Sequence, residues 1–156
     1  MNNVKRTGER VLGIIGLVIF MIGALLFVAL EVAENQGFFE EIAVEMTNEN
    51  SDLLAEQGVA PLTEQEANEF LEVVSSLNFT MFALVAFIAA VAGIVAVVII
   101  KNKPVIASIL FLGSTILYAA LAFITLIFVG PLIPMLLYII AGIMALVRKP
   151  KQVDPV

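Results

Sequence analysis

Four stretches of this chain, residues 11–30, 79–100, 104–129 and 132–147, contain no charged residue. They are 20, 22, 26 and 16 residues long. A helix crosses a hydrocarbon core of roughly 30 Å with about 20 apolar residues, so the first three suffice alone. Apolar runs of this length do not fit a water-soluble domain. The hydrophobic fraction of 61% and the mean hydropathy of +1.06 agree, since soluble domains are about 45–50% apolar.

The first stretch follows a basic lead, MNNVKRTGER, as a secretory signal would. Its apolar run, however, exceeds the roughly 7–15 residues of a signal core, and no clean A-x-A site follows. It reads as a retained anchor. The fourth stretch would reach only about 24 Å as a helix at ~1.5 Å per residue. The FVGPLIPM connection before it is itself apolar, so the chain is expected to turn at or within the outer interface.

The charges are sorted by segment. All eight basic residues fall at Lys5, Arg6 and Arg10, at Lys101 and Lys103, and at Arg148, Lys149 and Lys151. Residues 31–77 hold no Lys or Arg but carry twelve acids, Glu31, Glu34, Glu40, Glu41, Glu45, Glu49, Asp52, Glu56, Glu64, Glu66, Glu69 and Glu72. Lys and Arg beside membrane spans stay on the cytoplasmic side. The expected layout is a cytoplasmic N-terminus (1–10), span one (11–30), an extracytoplasmic acidic helical domain (31–77) and span two (78–100). A cytoplasmic turn (101–103), span three (104–129), an outer turn (130–131), span four (132–147) and a cytoplasmic tail (148–156) complete it. The fold class is thus an all-α integral membrane protein, a four-transmembrane-helix bundle with an extracytoplasmic acidic helical insertion between spans one and two.

Within the acidic segment, the first helix should continue to about Asn35 and break at Gly37. Phe38, Phe39, Ile42 and Met46 then recur at helical spacing. Asn48 to Asp52 reads as a polar loop, and Gly58 with Pro61 as a break. Thr63 and Glu66 form a T-x-x-E capping box that starts a helix running to about Ser76. Its acids Glu64, Glu66 and Glu69 suit the positive end of the helix dipole, and Ala67, Phe70, Leu71 and Val74 form one apolar face. The two apolar faces are expected to pack on each other and to cap the GPLIP turn. The acids Glu64, Glu66, Glu69 and Glu72 are then left for a partner.

Small residues mark candidate helix-packing positions: Gly13, Gly16 and Gly23 in span one, Ala86, Ala89, Ala90 and Gly93 in span two, and Gly142 in span four. Ala89-xxx-Gly93 and Ala86-xxx-Ala90 match the spacing that lets helix backbones approach closely. Span three is the most polar, with Ser108, Ser114, Thr115, Tyr118 and Thr125. Ser and Thr in spans usually bond to carbonyls of their own or a neighbouring helix. A path lined by Ser108, Thr115 and Thr125 is the alternative.

Several chemistries lack their residues. With no Cys and no His, the chain has no thiolate nucleophile and no imidazole base or ligand. No ionisable residue sits well inside a span, where proton relays and ion paths carry theirs. Glu31, at the outer end of span one, reads as an interfacial solvated carboxylate. Asn48, Asn50 and Asp52 alternate like the start of a calcium loop, but Leu53 stands where Gly is needed and the twelfth-position Glu is missing. Asn78-Phe79-Thr80 matches a glycosylation sequon but abuts a span and reads as chance. No catalytic or nucleotide-binding signature occurs. The acidic exposed segment would repel nucleic acid. No cofactor or metal is expected.

The start VKRTGERVLGIIG, the LTEQEANEFL helix, the basic turn KNKP and the close LLYIIAGIMALVRKP resemble small bacterial membrane proteins grouped as domain of unknown function 4064. The resemblance implies four spans and a bacterial plasma-membrane location, and it brings no catalytic or binding residue. The large first and tiny second outer loops are similar to those of claudin-like proteins, whose loop cysteines and tryptophans are missing here. The expected function is a non-enzymatic accessory or scaffold subunit of a cell-envelope complex. Its partners would be the lipid bilayer and a membrane protein or a second copy. A small channel or transporter component is the alternative.

Overall fold

The computed structural model describes residues 6–48, 60–125 and 132–147, with side chains over the same ranges except 122–125. Outside the described residues lie the Asn48–Asp52 loop beyond Asn48, the Gly58 break, the GPLIP turn up to Pro131, the side chain of Thr125 and both tails. The expected capping of that turn by the acidic helices falls there too.

Among the described residues there are six helices and no strand: α1 (Thr7–Asn35), α2 (Phe38–Thr47), α3 (Glu64–Ser76), α4 (Phe79–Ile99), α5 (Pro104–Thr125) and α6 (Leu132–Val147). Three of them, α1, α4 and α5, are long and apolar enough to cross a membrane, and α6 is a shorter apolar helix. The helices belong to two compact units, Met1–Leu26 with Phe82–Val156, and Phe27–Met81.

In the first unit the contacts fix helix directions. Positions Gly13 and Gly93 sit against Val97 and Leu17 in turn, so α1 and α4 run antiparallel. Ser108 and Phe111 meet Gly142 and Tyr138, so α5 and α6 are antiparallel as well. The centre is aromatic. Tyr138 is fully buried between Phe20 and Phe111, with ring centroids 5.0 and 4.9 Å away. Tyr118 lies 5.5 Å from Phe20 and 6.2 Å from Phe82. Large apolar side chains on the opposite faces, among them Leu25, Val98, Ile116 and Ile133, are more than 60% exposed. Exposed apolar surface on this scale is foreign to a soluble monomer and suits a lipid surround.

The glycines show why small residues are needed here. A Cβ at Gly16 would lie 2.6 Å from the Tyr138 ring, and one at Gly93 would collide with its hydroxyl. The Tyr138 hydroxyl passes over that gap and donates to the Ala89 carbonyl at 3.1 Å. The Ala89-xxx-Gly93 spacing thus admits a tyrosine side chain, and Gly93 also lies close to α1, with its would-be Cβ 3.1 Å from the Leu17 Cβ. Gly13 makes room for Phe111, and Gly142 for Leu112. Among the described residues Gly23 has nothing within 4 Å of its would-be Cβ. Ala86, Ala89 and Ala90 are buried.

In the second unit, α1 ends at Asn35, and Gly37 turns the chain with φ 77°. That left-handed conformation is costly for residues with a Cβ. Antiparallel helices α2 and α3 then pack through Ala43 and Ala67, both buried. Two alanines at the crossing allow a short interaxial distance. Leu62 donates its N–H to the Met46 carbonyl at 2.8 Å, satisfying a carbonyl that the end of α2 would leave open.

Candidate functional site

The acidic unit is built from local signals. Thr63 begins α3 with a complete capping box: its Oγ1 accepts from the Glu66 N–H at 3.3 Å, and its own N–H donates to Glu66 Oε2 at 2.8 Å. The Thr63 backbone and hydroxyl hydrogen bonds hold the Glu66 carboxyl below the usual carboxylate range. Glu69 accepts from the Gln65 side chain at 3.1 Å. Glu64, Glu66, Glu69 and Glu72 are all exposed. At 100° per residue Glu69 and Glu72 lie on the side of α3 opposite Ala67, Phe70 and Val74, while Glu64 and Glu66 flank that apolar face on either side. Glu66 and Glu69 are engaged in holding the helix, Glu64 stands at the edge nearest α2, and Glu72 faces away from it.

The apolar face divides unevenly. Phe39 packs edge-on to Phe70 with centroids 6.4 Å apart, and stacks on Phe79 at 6.2 Å. Val74 is buried, while Ile42, Met46, Phe70 and Leu71 are half-buried. Phe38 is exposed, touching Phe39 at 5.8 Å. Ala43 carries more of the contact than its small side chain suggested from sequence, and helical spacing from Phe39 was the available signal.

Two concavities open in this unit. One, of about 300 Å³, is a groove between α2 and α3 lined by Ala43, Val44, Thr47, Glu64, Ala67, Asn68 and Leu71. The other, of about 470 Å³, is a polar cleft lined by Glu31, Glu34, Ser75, Ser76, Leu77, Asn78 and Thr80. In this cleft Glu31 is half-buried, and its Oε2 accepts from the Thr80 N–H at 3.0 Å. Asn78 Oδ1 accepts from the Met81 N–H at 2.8 Å. Both side chains cap the start of α4, where free N–H groups and the dipole favour an acid. The carboxylate read as solvated is thus a helix cap, and the sequon asparagine is an N-cap. Among the described residues no three His, Cys, Asp or Glu side chains are placed to hold a metal ion.

Residues 5–121 match the family model described as Protein of unknown function (DUF4064). The chain belongs to that family. The DUF4064 match takes in α1 to α4, both concavities and α5 up to Leu121. No curated protein and no solved structure matches the chain.

The matched DUF4064 stretch also holds a site that charge counting overlooked. Glu9, in the first turn of α1, is 0% exposed and Arg6 is 7% exposed, with 3.7 Å between Nη1 and Oε1. Arg6 Nη1 donates to the Ala145 carbonyl at 3.0 Å. That carbonyl is among the last four of α6, which have no partner within their helix, and a cation there is favoured by the dipole. Two residues of the segment expected as a cytoplasmic N-terminus are thus a buried pair in the first unit. In α5, Ser108 donates to the Gly142 carbonyl at 2.7 Å, Ser114 to Leu110 at 2.7 Å and Thr115 to Phe111 at 3.0 Å. Ser108, Ser114 and Thr115 are buried.

Proposed function

We propose that this DUF4064 chain is a four-span bundle in the bacterial plasma membrane that serves as a non-enzymatic accessory or scaffold subunit. Both termini are cytoplasmic, and residues 31–77 form an extracytoplasmic acidic insertion. The lipid-like exposure of α1, α4, α5 and α6 supports the spans, and the sorting of Lys and Arg supports the orientation. One observation carries the role: α2 and α3 turn Ala43, Ala67 and Val74 inward and present Glu64, Glu66, Glu69 and Glu72 outward as an ordered acidic surface. A surface of this kind, held by caps and an aromatic cluster, suits a protein partner that carries basic residues and repels nucleic acid.

Purification in mild detergent tests the reading. The expected result is a stoichiometric partner or a defined homo-oligomer that is lost when Glu64, Glu69 and Glu72 become Lys together. A clean monomer without a partner overturns it. A channel or transporter component is less well supported, because Ser108 and Thr115 are buried and direct their hydroxyls at carbonyls.

A further inference from the structure

The groove between α2 and α3 combines two features that rarely occur together on a free surface. Its wall is apolar, and Val44 on that wall is 70% exposed. Its edges are acidic. Glu64 is itself a lining residue at one end, level with Thr47. By helical spacing Glu40 shares the line of Val44 and Thr47 and stands two turns from the Thr47 end. No Lys or Arg occurs anywhere in residues 31–77 to neutralise these acids.

We infer that this groove docks a cationic amphipathic helix of a partner protein. The inference rests on the accessory-subunit reading above and names the chemistry of its partner. A third helix laid along two packed helices completes a three-helix core, burying Val44 and Leu71 under small apolar side chains. Glu64, level with Thr47, and Glu40, seven residues back along α2, are about 10 Å apart along the groove at ~1.5 Å per residue, which matches basic residues two turns apart on the incoming helix. Charge selects against the alternatives. A second copy of the same acidic unit would set like charges face to face, and an anionic headgroup would meet the same repulsion.

The test uses the full-length protein in phosphatidylcholine nanodiscs, with empty discs as the blank. The probe is a synthetic Ala/Leu/Lys helix with one apolar stripe and lysines seven residues apart. The control is a scrambled peptide of identical composition. The expected result is binding about tenfold tighter for the striped peptide. Val44→Asn, at an exposed position, should lower that affinity by about tenfold with helix content unchanged. Glu64→Gln with Glu40→Gln should weaken binding and flatten its salt dependence. Equal binding of the two peptides, or indifference to Val44→Asn, overturns the inference. Recovery of a native partner from detergent that is indifferent to Val44→Asn and Glu64→Gln also overturns it while leaving the accessory reading intact. Absence of any partner sinks the accessory reading instead.

Discussion

Gly93 and Tyr138 fit as gap and filler: the tyrosine hydroxyl occupies the space where a Cβ at 93 would stand, and from there reaches the Ala89 carbonyl. Gly93→Ala should therefore destabilise the protein by about 1–3 kcal/mol, the usual cost of overpacking. Tyr138→Phe, which shortens the filler and gives up one hydrogen bond, should cost about 1 kcal/mol alone. The double variant should be more stable than the sum of the two predicts, because the hydroxyl, the worst contact of the new methyl, is gone, although the ring Cζ at 2.8 Å still crowds it. Gly23→Ala, with nothing nearby, should be neutral or slightly stabilising. Thermal unfolding of the four variants in one detergent checks the set. Additivity of Gly93 and Tyr138 would show that the contact is absent.

Removing the Arg6 guanidinium should be costly for two reasons. It takes a cation from beside the buried Glu9 and uncaps the α6 carbonyl. Arg6→Ala is expected to cost on the order of 3 kcal/mol. Arg6→Ala with Glu9→Gln should recover part of that loss, since the buried carboxylate goes with the cation. Chemical denaturation followed by tyrosine absorbance would measure both. Equal stability of wild type and Arg6→Ala would refute a buried pair.

The capping box predicts a pH response of known sign. Hydrogen bonds from Thr63 favour the ionised Glu66, so its folded-state pKa lies below the ordinary value of 4.5. Their contribution is fully present above that ordinary value and fades as pH falls through the lowered one. The start of α3 should fray in acid, seen by amide exchange at residues 64–67. In Glu66→Ala the fraying should be present already at neutral pH and change little on acidification. Thr63→Ala should weaken the helix by about 1 kcal/mol.

Gly37 adopts φ 77°, a region where a side chain costs about 1–2 kcal/mol. Gly37→Ala should loosen the α1–α2 turn by that amount, and Gly37→Asn by less. Limited proteolysis near residues 36–38, quantified by mass spectrometry, distinguishes the three.

What could be read in advance was what depends on neighbours in sequence. Thr63 and Glu66 are three residues apart, so their reciprocal bonds announce the start of α3 without any tertiary knowledge. Gly37 and Pro104 mark boundaries for equally local reasons, a left-handed turn and a missing N–H. The burial of Glu9 was not legible, because it depends on a carbonyl at position 145 that nothing near residue 9 encodes. Charge counting assigned residues 1–10 to a cytoplasmic N-terminus, which carries no information about burial. Gly93 was noticed as small, but small spacing does not say whether a backbone or a tyrosine will fill the gap. Glu31 gave no sign of capping α4, since Thr80 is 49 residues away.

The bond from Arg6 to Ala145 joins residues 139 apart in the sequence. During synthesis, α1 emerges first and carries its ion pair without a seat until α6 has been made. The contact therefore cannot close until residue 145 has been made, so the enclosure of Glu9 and Arg6 is a late step in the assembly of the first unit.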